Sequence, residues 1–279
     1  MPNGTPSSRT FALLAPSHKV VPSSLQNVEF NAAEYEIRLA QLQRLRGGIY
    51  LEDGAIEPWQ LTSDGRHTSQ ADLESWHLLS IEDGEVMGCA RLIVYDPTVN
   101  FAKLTVAQSA LAADPEWGDM LRLSVTAELY RAQSEGLRFI EAGGWALAPE
   151  LRCTTEALHI ALGSYAIGDL LGGALGLSTA TVRHHSSSIL RRLGGCSFIW
   201  GNQALPPYYD PAYQCEMEVV RFDSRRPNPK YRGVVDKLRA ELPSSKVLCG
   251  TAEIEKAWAA PLSISKSHAS GRDHHSAAL

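Results

Sequence analysis

Residues 139–158 read FIEAGGWALAPELRCTTEAL. An apolar, strand-like run passes through Gly143 and Gly144 and gives way to a helical pattern. Arg152, Cys153, Thr154 and Thr155 stand at the turn between them. A strand end followed by a helix N-terminus forms an anion site, because free backbone N–H groups and the helix dipole both favour negative charge there. Arg152 adds a formal positive charge, and the two threonines add hydroxyl donors. A phosphate or pyrophosphate is the natural guest. A capped helix whose arginine reaches solvent fits the same spacing.

Working outward, the flanking pattern predicts one α/β domain. EFNAAEYEIRLAQLQRLRGG (29–48) carries Phe30, Tyr35, Ile37, Leu39, Leu42 and Leu45 at roughly helical spacing, with the paired glycines as its stop. SWHLLSIEDGEVMGCARLIVY (75–95) reads as a hairpin whose Asp-Gly supplies a tight turn. GDMLRLSVTAELYRAQSEG (118–136) reads as a helix with Leu121, Val125, Leu129 and Ala132 on one face and Gly136 as its stop. Helix TTEALHIALGSYAIGDLLGG (154–173), capped by Thr154 or Thr155, precedes strand ALGLSTATV (174–182). Short helix HHSSSILRRLGG, strand CEMEVVRFD and helix YRGVVDKLRAEL complete the order. That succession predicts a mixed sheet with helices on its faces, not a doubly wound parallel sheet. Neither GxGxxG after a strand nor GxxxxGK[ST] occurs, which argues against nucleotide binding of those two kinds.

The 279 residues suffice for a sizeable core, and the net charge of −5 lacks the basic excess of a nucleic-acid binder. Five scattered cysteines without a CxxC pair suit a reduced, cytoplasmic compartment. No apolar run reaches the ~20 residues of a membrane helix. Pro, Ser and Asn enrichment predicts an unstructured segment over 1–28, a domain over 29–250 and a flexible tail over 251–279. The tail histidines belong to low-complexity sequence, and adjacent His184 and His185 lack an evident third ligand, so no metal site is expected.

These stretches resemble the GNAT superfamily of acyltransferases. Its R/Q-x-x-G-x-G/A turn cradles the pyrophosphate of coenzyme A. Here Arg152-Cys-Thr-Thr-Glu-Ala157 keeps the first and last positions, with Thr155 in place of glycine. SSSILRRLGG (186–195) resembles the superfamily's later motif, where a tyrosine protonates the leaving thiolate; Leu190 takes its place. The front half is similar to acyl-homoserine-lactone synthases and N-acyl amino acid synthases, which accept acyl groups from acyl carrier protein. Arg46, Tyr50, Asp64, Asp72 and the run Gly88-Cys-Ala-Arg91-Leu92 match their front-half pattern. Where the homoserine-lactone enzymes carry E-x-S-R-F-A-V, this chain reads Glu141-Ala-Gly-Gly144-Trp145-Ala-Leu147. Loss of that arginine argues against S-adenosylmethionine and favours an amino acid or another amine.

The resemblance implies a GNAT-like, mostly antiparallel sheet and transfer of a long-chain fatty acyl group from acyl carrier protein, or from acyl-CoA, to an amine. The carrier would dock on a basic patch, and no tightly bound cofactor is implied. Glu141, buried beside Trp145 and Gly144, is the expected base. Arg152, Cys153, Thr154, Thr155 and Arg183 are the expected contacts of the pantetheine phosphate region. Arg46, Asp64, Arg66, Asp72, Arg91 and Tyr208 are the candidate substrate residues, Tyr208 lying in LPPYYDPAY (205–213), a candidate acyl-tunnel wall or packed loop. A conventional acetyl-CoA-dependent N-acetyltransferase and a ligand-binding GNAT fold without turnover are the alternatives.

Overall fold

The computed structural model describes residues 9–17, 20–152 and 154–250. Its helices are α1 (Ala32–Glu52), α2 (Gly118–Ser134), α3 (Thr155–Leu170), α4 (Ser186–Leu193) and α5 (Arg232–Glu241). Its strands begin with β1 (Thr10–Leu14), β2 (Val28–Phe30), β3 (Trp76–Glu82), β4 (Glu85–Tyr95), β5 (Arg138–Leu147) and β6 (Ala174–Thr181). There follow β7 (Cys196–Ser197), β8 (Ile199–Trp200), β9 (Gln203–Ala204), β10 (Tyr208–Asp210), β11 (Cys215–Asp223) and β12 (Lys246–Cys249). The main sheet runs β10-β11-β6-β5-β4-β3-β1-β12-β2, with β7 paired to β11. Only β5–β6, β1–β12 and β12–β2 are parallel; the other pairs in the sheet are antiparallel.

Alternation along each strand fills both faces. One face carries Leu13, Leu78, Leu92 and Ile140 against Ile160 and Tyr165 of α3 and Val235 of α5. The opposite face splits into two cores. Tyr35, Leu39 and Leu42 of α1 cover Leu79, Cys89 and Leu248, while Leu121, Val125 and Leu129 of α2 cover Phe139, Leu177 and Val219. Each fully buried leucine contributes about 1.5–3 kcal/mol relative to exposure. The α2 stripe has the expected spacing, and Gly136, with φ +67°, follows the helix as expected. The β3–β4 hairpin turns on Asp83 (φ +51°) and Gly84 (φ +82°). Thr154 caps α3 by accepting from the Glu156 N–H.

Three expectations are corrected. Residues 10–14 lie inside the segment expected to be unstructured, yet β1 pairs with both β3 and β12. Its apolar Phe-Ala-Leu-Leu run buries Leu13 and Leu14, which outweighs the polar flanks. Helix α1 does not stop at Gly47-Gly48 but continues to Glu52. A Cβ on Gly47 would lie 2.8 Å from the Gly65 carbonyl oxygen, so the glycine admits the 61–67 loop against the helix. The expected order of elements ends on a helix, whereas the chain adds a closing strand, β12, that brings the sheet to the 250 boundary. Cys153 and the 251–279 tail lie outside the described residues. No described helix is long and apolar enough to cross a membrane.

Candidate functional site: a cavity where two parallel strands part

Pairing between β5 and β6 runs from Arg138–Ala174 to Ala142–Ser178 and ends there. Beyond that point β5 stays bonded to β4 as far as Leu147, and β6 stays bonded to β11 as far as Thr181. The two parallel strands therefore separate while each remains in the sheet. A cavity of about 190 Å³ occupies the gap. Ile160, Ala161 and Ser164 of α3 line it from one face. Tyr50 and Asp53 at the end of α1, Arg91 of β4, Thr105 and Tyr213 line it as well.

The glycines shape this opening. Cys89 faces Ala146 and Arg91 faces Gly143, so Ala90 alone opposes Gly144 and Trp145. Two residues against one, the first a glycine at φ +61°, is a G1 bulge. The extra residue inverts the alternation downstream. Trp145 packs toward the α3 face, and Ala146 faces α1. Trp145 thereby lines the cavity, and its indole Nε1 is buried with no hydrogen-bond partner.

Beneath the cavity lies a buried charge network. Arg46, 2 % exposed, grips Asp72 through Nη1–Oδ1 at 2.9 Å and Nη2–Oδ2 at 2.6 Å. Gln43 Nε2 and the Ser69 N–H donate to Asp72 Oδ2, and Arg91 Nη1 reaches Oδ1 at 3.3 Å. Burial opposes the Asp72 charge, but Arg46 outweighs it and holds the carboxyl well below the usual range. Arg91 spends one nitrogen on this network, lines the cavity, and has a buried Nε without a partner. Both Trp76 and His77 are buried, because helices cover both faces of β3; His77 Nε2 bonds the Asp72 carbonyl at 2.8 Å.

Glu141 is buried, but not against an apolar wall. Its oxygens accept the Thr105 N–H at 2.7 Å, the Val106 N–H at 2.8 Å and the Tyr95 hydroxyl. The carboxylate ties strand β5 to the 105–108 turn, and it is Thr105 that lines the cavity. Asp64 and Arg66 lie outside the cavity, on an exposed loop where Asp64 is held by Thr62, Arg66 and Arg44. Tyr208 packs on the α2 core, and Tyr213 from the same aromatic segment lines the cavity instead.

Arg152 and Arg183 meet at the end of α1. Arg152 Nη2 approaches Glu52 at 3.4 Å and Asp53 at 3.8 Å, and Arg183 Nη2 donates to the Asp53 carbonyl at 2.6 Å. Cations at a helix C-terminus complement its dipole. A phosphate at this mouth would have to displace those carboxylates. Thr155 opens α3, and Leu190 lines the cavity with no proton to give. Sequence reasoning missed Thr105, Ser164, Ser178 and Thr179 as lining residues, since small polar side chains carry no motif. A second cleft of about 710 Å³, lined by β1, α1 and α5, holds charges already paired, including Arg9 with Glu156 and Lys246 with Glu34. Among the described residues no three His, Cys, Asp or Glu side chains converge on a metal site.

No protein-family model matches the sequence, and no curated protein matches it. Among solved structures, it is similar to a CoA-dependent acyl-homoserine lactone synthase, BjaI, with SAM and isopentyl-CoA. The two are 18% identical over 88% of this chain and 95% of that one, with a TM-score of 0.50. FeeM, an N-acyl amino acid synthase from uncultured soil microbes, is 12% identical over 84% of this chain and 95% of that one, with a TM-score of 0.48. At 18% identity the likeness to BjaI is one of architecture, and the chain has the GNAT-like fold of the acyl-homoserine lactone synthases.

Proposed function

We propose that the protein is an N-acyltransferase that moves an acyl group from a thioester, on coenzyme A or acyl carrier protein, to an amine whose carboxylate Arg91 receives. The observation that carries this reading is the cavity between the parted ends of β5 and β6. Strand ends freed from mutual pairing leave backbone groups to bind an extended, amide-containing pantetheine arm. Ile160 and Ala161 supply an apolar wall for the acyl chain. Arg91, half-buried and only partly neutralised by Asp72, offers a cation beside that wall. The wall and the cation together fit an acyl chain and a charged acceptor meeting at one carbonyl.

The chemistry needs a neutral amine, a donor to the developing oxyanion and a path for the thiolate. The amine nitrogen attacks the thioester carbon, and the carbon–oxygen π pair moves onto oxygen. Collapse restores the carbonyl and expels the thiolate, and the ammonium proton leaves to solvent at the open mouth. Glu141 serves here as a positioning residue for Thr105. The BjaI structure holds isopentyl-CoA, which supports trying short acyl-CoA donors first.

The test is incubation of the purified protein with acyl-CoA and acyl-carrier-protein donors of graded length and a mixture of amino acids. Free thiol is followed by colour and products by mass spectrometry. An N-acyl amino acid formed in step with thiol release is the expected result. No thiol release and no product from either donor class overturns the reading.

A further inference from the structure

Buried tryptophan N–H groups ordinarily find an acceptor, and a buried donor without one is destabilising. Trp145 Nε1 has none, although the ring is held among the α3-side core and lines the cavity. Its placement is built. The Gly144 bulge inserts one residue into β5, and that insertion turns Trp145 from the α1 face to the α3 face. The contact is tight, for a Cβ on Gly144 would sit 3.0 Å from the Arg91 Cβ. A bulge that reorients one side chain at the rim of a cavity and leaves its only polar atom unpaired points to a ligand acceptor.

The character of the donor narrows that acceptor. An indole N–H is neutral, gives one hydrogen bond and cannot lose its proton to substrate. Charge-bearing groups of an acceptor have Arg91 available in the lining of the same cavity. The neutral acceptor expected between parted β5 and β6, under the function proposed above, is a carbonyl of the acyl thioester.

Resting on that reading, we propose that the Trp145 indole N–H is a catalytic hydrogen-bond donor to the acyl carbonyl oxygen of the bound thioester. The hydrogen bond strengthens as the π pair moves onto oxygen during attack by the amine. It relaxes when the carbonyl reforms and the carbon–sulfur bond breaks. The indole proton stays on nitrogen throughout, so Trp145 takes no part in carrying the ammonium proton away.

Trp145→Phe keeps an aromatic ring and deletes the donor. Because Nε1 has no protein partner to strand, the variant should unfold at the same temperature as the wild type or a higher one. Its kcat should fall by ~100-fold with KM nearly unchanged, as for loss of an oxyanion donor. The direct readout is the indole N–H resonance of Trp145, assigned by its absence from Trp145→Phe. It should move downfield with a non-cleavable acyl-CoA analogue that keeps the carbonyl and replaces sulfur by methylene. It should not move with an S-alkyl-CoA that lacks the carbonyl. An unchanged kcat in an active preparation, a raised KM at constant kcat, or equal shifts with both analogues overturns the assignment while leaving the acyltransferase reading intact. A wild type that neither turns over nor binds either analogue overturns both.

Discussion

Gly144 and Arg91 touch across the β4–β5 pair, and only a glycine fits there. A Cβ at 144 would meet the Arg91 Cβ at 3.0 Å and Arg46 Nη1 at 3.5 Å, and the backbone φ is +61°. An arginine side chain at 144 would clash with Arg91 in this bulge. Gly144→Ala should destabilise by more than about 1 kcal/mol, since both the left-handed backbone and the contact oppose a side chain. Urea unfolding measures the loss. Tryptophan emission of the variant should also shift, as Trp145 leaves its half-buried position.

Arg46 and Asp72 are a buried pair with little solvent to replace either partner. Asp72→Ala leaves the Arg46 guanidinium, 2 % exposed, without its carboxylate. A loss of about 3–5 kcal/mol is expected. The double variant Arg46→Met with Asp72→Leu should recover part of it, because it removes the Arg46 charge together with the pair but leaves half-buried Arg91 without its carboxylate. Denaturant midpoints of the three proteins at fixed slope decide the matter. Equal losses for the single and double variants would mean that packing, not charge, dominates the site.

Much of this architecture is legible in the sequence because it rests on local rules. The β3–β4 hairpin announces itself by Asp83-Gly84 between apolar runs, α2 by its stripe, and α3 by Thr154 ahead of a helical run. What escapes is set by distant partners. Gly47 reads as a helix stop until the Gly65 carbonyl is seen against it. Strand β1 hides among polar residues because its neighbour β12 lies more than two hundred positions on. The carboxylates that Arg152 approaches, Glu52 and Asp53, lie about a hundred residues away and leave no local sign beside it. Thr105 and Tyr213 reach the cavity only through the parting of β5 and β6, which no run of residues encodes.

Glu141 clamps the 105–108 turn with its two oxygens. The Thr105 and Val106 amides and the Tyr95 hydroxyl all donate to it. Glu141→Gln puts an NH2 where one oxygen must accept, so one of those donors loses its partner. The expected cost is about 1–3 kcal/mol. Native-state hydrogen exchange should quicken at Thr105 and Val106 while amides in the β5–β6 pairing keep their protection. If exchange at 105 and 106 is unaltered, the clamp is not what holds the turn.

His77 links stability to pH. Burial lowers its pKa from 6.5 to about 4; the nearest charged groups are Asp72, Arg46 and Arg91, and the Asp72 carbonyl holds Nε2. The unfolded chain takes up this proton as pH falls below about 6.5, and the native protein does not until about 4. The unfolded state therefore binds more protons throughout that window, and stability declines as pH falls across it. At ~1.4 kcal/mol per pH unit the whole window is worth about 3 kcal/mol. Asp72 acts elsewhere. Its depressed pKa gives stability that is present above the ordinary carboxylate range and lost only below about 4. Urea unfolding of wild type and His77→Gln at pH 7, 5.5 and 4.5 separates the two. The wild type should lose stability steeply over this range and the variant much less, because glutamine can still donate to the Asp72 carbonyl but does not titrate. Parallel curves would show that His77 already takes up its proton in the folded protein.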